Sequence, residues 1–86
     1  MNTPNWDAFE ALYKKNENIL RGVRYVKVPN DGNNAYDCGA FRVRIVFENM
    51  AYKSYLSREA HETFKEGIED AATVALPALR LLFGDK

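Results

Sequence analysis

Cysteine occurs once in these 86 residues, at Cys38, so neither an intramolecular disulfide nor a thiolate cage for zinc can form within the chain. Histidine also occurs once, at His61, which leaves a metal without a second imidazole. A Cys38/His61 pair would have to be assembled from different elements, and its simpler reading is a small buried thiol and a surface imidazole among glutamates. The five glycines are scattered and form neither GxGxxG nor GxxxxGK, so no phosphate-cradling loop is expected. The most apolar stretch, Ala71 to Phe83, is broken by Pro77 and Arg80 and falls short of the ~20 residues a membrane span requires. The stretch from Met1 to Asp7 lacks the basic start and apolar run of a secretion signal. These absences point to a non-enzymatic chain of the cytoplasm, with no cofactor, no metal and no membrane partner.

What is present is globular in proportion. A hydrophobic fraction of 47% stands beside 28% charged residues, and 86 residues hold one domain with one core. The net charge of zero conceals a division along the chain. Residues 21–58 carry seven basic groups against three acidic ones, whereas residues 59–86 carry three against six.

The spacing predicts an α+β chain in the order helix, three antiparallel strands, long helix. Thr3 before Pro4 reads as an N-cap with proline at the first helical position, where its missing N–H costs nothing. Trp6, Phe9, Leu12 and Tyr13 share one face of a helix ending near Asn16, after which Ile19 and Leu20 read as a connector. Val23 to Val28 reads as a strand stopped by Pro29, and Pro29 to Gly39 is a turn-rich loop. Phe41, Val43, Ile45 and Phe47 then alternate with Arg42, Arg44, Val46 and Glu48, which predicts one apolar and one mostly charged face.

A two-residue turn at Asn49-Met50 would return Ala51 to Leu56 as the third strand. That register faces Phe47 with Tyr52, Ile45 with Ser54 and Val43 with Leu56 inside, and Arg44 with Tyr55 and Val46 with Lys53 outside. Ser57 is the expected N-cap of the second helix, with Glu59 and Glu62 in its first turns. Ala60, Phe64, Ile68, Ala71 and Ala75 would lie over the inner sheet face. Pro77 predicts a kink or restart. The nearly all-round apolar run from Val74 to Phe83 makes Leu79, Leu82 and Phe83 candidates for a homodimer or partner interface.

The candidate binding surface is the outward sheet face, with Arg24, Arg42, Arg44, Lys53 and Tyr55 on it. Guanidinium and ammonium groups neutralise phosphates, and an aromatic ring among them can stack on bases. The runs Arg21-Gly22-Val23-Arg24 and Gly39 to Ile45, followed by a hairpin into Ser57-Arg58-Glu59-Ala60 and a helix, resemble the AP2/integrase-arm type of DNA-binding domain across residues 21–72. The resemblance implies a three-stranded sheet packed on one helix, with Arg24, Arg42, Arg44 and Lys53 directed at DNA. The rival expectation is a protein-binding inhibitor or adaptor, such as a small phage-type protein that docks on a nucleic-acid-handling partner.

Overall fold

The computed structural model describes residues 3–29 and 40–84. Its elements are α1 (Pro4–Lys15), α2 (Glu17–Leu20), β1 (Val23–Pro29), β2 (Phe41–Phe47), β3 (Tyr55–Leu56) and α3 (Phe64–Phe83). The strands form one antiparallel sheet in the order β1-β2-β3, with α1 and α3 packed together on one of its faces. The expected helix-sheet-helix order therefore holds, with α2 as an addition.

α1 starts at Pro4 behind Thr3, but the Thr3 side chain makes no capping bond. The orphan N–H groups of Asn5 and Trp6 instead donate to the Glu69 carboxylate, at 3.2 and 3.0 Å, so an acid on α3 caps α1 across the fold. Phe9 and Leu12 go into the core, and the Trp6 indole N–H donates to the Tyr25 hydroxyl at 3.1 Å. Ile19 and Leu20, expected in a connector, belong to the single turn α2. Leu20 is fully buried there, so apolar burial outweighs the poor helix propensity of Asn16 and Asn18.

β2 is the central strand, and Val43, Ile45 and Phe47 are buried as expected, while Phe41, expected with them, is only half-buried. β1 pairs with it along its whole length, from Val23 opposite Phe47 to Pro29 opposite Phe41. The return strand departs from expectation. β3 is only Tyr55 and Leu56, set opposite Ile45 and Arg44, a shift of one residue that turns every side chain to the other face. Asn49 causes it. Its amide nitrogen and side-chain NH2 donate to the carbonyls of Leu20 and Ile19, while its two oxygens accept from the N–H groups of Ala51 and Tyr52. The residue is thereby tied to the end of α2, and a wide turn replaces a two-residue one.

Ser57 is not a helix cap. It is buried, its N–H donates to the Val43 carbonyl, and its hydroxyl accepts from the Val43 N–H and donates to the Glu59 carbonyl, so it continues the β3 ladder. His61 pairs its main chain with Phe41 in the same direction. α3 begins at Phe64 behind Thr63, whose hydroxyl accepts from the Glu66 N–H and bonds to its carboxylate. Ala60 thus lies outside the helix, and Phe64 is 38% exposed rather than part of the main core, edge-on to Phe41.

Ala71, Ala72, Ala75, Leu76 and Leu79 close the core on Ile45, Phe47, Phe9 and Leu20, and Ile68 is buried on the same helix. Gly67 permits the closest approach, since a Cβ there would sit 2.3 Å from a Val43 methyl. Of the kink or restart expected at Pro77, the restart does not occur, and α3 runs through as one helix. That residue is on the exposed side, where water can reach the carbonyl deprived of its donor.

Candidate functional site

Opposed residues of an antiparallel pair share a face, so the ladders define the outer surface row by row. Arg24 lies opposite Val46, Val26 opposite Arg44 with Leu56 beyond it, and Val28 opposite Arg42. Three arginines therefore occupy three successive cross-strand rows, interleaved with four aliphatic side chains. None of these residues belongs to the hydrophobic core or packs against it, which places the helices wholly on the other face. No residue of β1, β2 or β3 is acidic. Arg44 donates to the Ser54 hydroxyl at 3.3 Å, while Arg24 and Arg42 have no hydrogen-bond or ion-pair partner among the described residues. Glu48 bounds the surface at one end, folded over Gly22 where any Cβ would collide with it.

Two of the five expected site residues lie elsewhere. The shifted register turns Tyr55 inward beside Ile45, with its ring edge-on to Phe47 at 6.3 Å, and burial raises its phenol pKa above the usual value. Lys53 precedes β3 in the wide turn. Both line an open groove of about 440 Å³ on the helix side, between residues 51–55 and Ala78, Leu81 and Leu82 of α3. The structure thus keeps Arg24, Arg42 and Arg44 together and separates Lys53 and Tyr55 from them.

The apolar end of α3 is likewise divided. Leu79 is completely buried in the core of its own chain, so it cannot serve as an interface residue, and Phe83 stacks on Tyr52 at 5.9 Å. Leu82 is exposed as expected, and Leu81, which the sequence reading did not single out, is more exposed still.

A second cluster was not foreseen. His61 Nε2 lies 2.8 Å from Asp70 Oδ2 at the wall of a cleft of about 420 Å³ that Arg58, Glu66, Glu69 and Thr73 also line. Partial burial pushes the Asp70 carboxyl up, but bonds from His61 and from the main-chain N–H groups of Glu59 and Arg58 outweigh it and hold the group below the ordinary carboxylate range. Three of the four acids that line it, all but the exposed Glu59, have internal work. Asp70 fastens residues 59–61 to α3, Glu69 caps α1 and Glu66 completes the Thr63 cap. The cluster is a structural clasp, and no metal-holding group of acids, histidine or cysteine occurs among the described residues. Cys38 lies outside the described residues. Among those described, no helix is long and apolar enough to cross a membrane.

Compared with known proteins, the chain matches no family model, no curated protein and no solved structure.

Proposed function

We propose that this chain is a non-enzymatic binding module whose outer sheet face docks on nucleic acid, duplex DNA first. The observation that carries the reading is the set of three arginines on one face of strands that hold no acidic residue, two of them without a hydrogen-bond or ion-pair partner among the described residues. Guanidinium forks bind phosphate oxygens and the acceptor edge of guanine, and aliphatic side chains such as Val26 and Val46 suit thymine methyl groups. With Tyr55 turned inward, no aromatic ring stands among Arg24, Arg42 and Arg44 in the described strands, which favours duplex over single strands. The likeness of residues 21–72 to AP2/integrase-arm domains supports the same reading. A second reading has its own observation: Val26, Val28, Val46 and Leu56 give the face the aliphatic-plus-arginine character of a protein interface, fitting an inhibitor or adaptor of a nucleic-acid-handling protein.

Anisotropy titration of a labelled duplex over a range of salt concentrations tests the first reading. Affinity should fall linearly on a log–log plot, and each arginine replaced by alanine should reduce the slope by about one unit. Absence of duplex binding at low salt would leave only the protein reading.

A further inference from the structure

The outer edge of β1, which nothing among the described residues pairs with, carries an inference of its own. An antiparallel residue directs its N–H and C=O to the same side. Phe41 exchanges both bonds with His61, so the odd residues of β2 face β3, and Glu48 donates to the Gly22 carbonyl, so the even residues face β1. Arg24, Val26 and Val28 consequently hold the β1–β2 ladder, while Val23, Tyr25 and Lys27 direct their main-chain groups away from the sheet. No hydrogen bond reaches those groups among the described residues. Lys27, an inward charge of the kind that blocks an edge, has its ammonium drawn over the rings of Phe41 and Phe64, at 4.7 and 5.9 Å from their centroids and away from the edge.

We propose that this edge pairs with the same edge of a second copy, antiparallel about a two-fold axis at Tyr25. Charge and proline select that register. With Tyr25 opposite its own copy, Val23 faces Lys27 of the second chain and every edge donor meets an acceptor. Arg24 then lies beside Val26 of the second chain. Sliding one step one way sets Arg24 against Arg24, a like-charge pair. Sliding one step the other way sets Val23 against Pro29, which has no N–H to give. In the selected register the outer faces join into one six-stranded surface carrying Arg24, Arg42 and Arg44 from both copies. That last consequence rests on the nucleic-acid reading; the pairing does not.

Sedimentation of the full chain without nucleic acid, over a wide concentration range, tests the pairing separately from the binding reading. The wild type should show a concentration-dependent monomer–dimer equilibrium. Val26→Glu, which sets a carboxylate beside the second copy's Arg24 twice per dimer, should tighten it by roughly two- to thirtyfold. Val26→Lys should loosen it by a similar factor. Val23→Pro removes an edge donor at the first residue of the strand, where proline is tolerated, and should give monomer. A wild type that stays monomeric up to its solubility limit, or a dimer indifferent to the charge at residue 26, would overturn the proposal.

Discussion

Val43, Ile45 and Phe47 are sealed beneath α1 and α3, while Arg42, Arg44 and Val46, their immediate neighbours in the chain, look out from a face that no helix covers. One strand therefore serves two solvents. Its inner side chains exchange water for packed methyl groups and rings, which is where the folding free energy of a chain this small must come from. Its outer arginines contribute little to that, since they are only half-buried and, among the described residues, gain no ion pair, Arg44 making a single bond to the Ser54 hydroxyl. The difference teaches that the two faces answer to different demands, folding on one and recognition on the other, and that substitutions should separate them cleanly.

The largest expected effect is on the inner face. Ile45→Ala should lower stability by ~2–5 kcal/mol in urea unfolding, through lost burial and the cavity left beneath α3. A loss below ~0.5 kcal/mol would place Ile45 on the surface and break the comparison. Gly67→Ala is next and tests the sign of a competition. Helix propensity favours alanine by about 1 kcal/mol, but the new methyl meets Val43 at 2.3 Å, and overpacking should leave a net loss of ~1–2 kcal/mol. A more stable variant would show that α3 can lift off the sheet.

Glu69→Ala should cost ~1 kcal/mol by uncapping α1, and hydrogen exchange should quicken at Asn5 and Trp6 before anywhere in β2. Smaller again is the pH effect of the clasp. Asp70 has a lowered pKa in the folded chain, so its contribution is present above the ordinary carboxylate pKa and is lost as pH falls through the lowered one. Acid titration of the melting temperature should show that loss, and Asp70→Asn should flatten it.

The core alternation was legible because a period of two over seven residues leaves little freedom, and α1 was legible from Pro4 and the spacing of Trp6, Phe9 and Tyr13. The register of β3 was not, because Asn49 fixes it through bonds to Ile19 and Leu20, some thirty residues earlier. That one shift cost the candidate site Tyr55 and Lys53. The start of α3 could have been found: Thr63-Phe64-Lys65-Glu66 carries the threonine and glutamate of a capping box, whereas Ser57 is followed three residues on by Ala60. Glutamates 59 and 62 drew the expected boundary too early. No local signal marks Glu69 as the cap of α1, since it acts through tertiary contacts with residues near the start of the chain, whereas Leu79 continues the four-residue spacing of Ala71 and Ala75 and could have been placed in the core. Arg24, Arg42 and Arg44 kept their face because they belong to strands whose alternation did not depend on the hairpin.

The smallest expected effect on stability comes from the outer face, and it carries the central claim. Replacing Arg24, Arg42 and Arg44 together by alanine should move the urea midpoint by no more than ordinary surface substitutions do, within about 0.5 kcal/mol each. The same triple variant, titrated against duplex DNA at low salt beside the wild type, should lose its binding and its salt dependence together. Binding that survives the triple substitution unchanged in a folded chain would contradict the division of the sheet into a folding face and a recognition face.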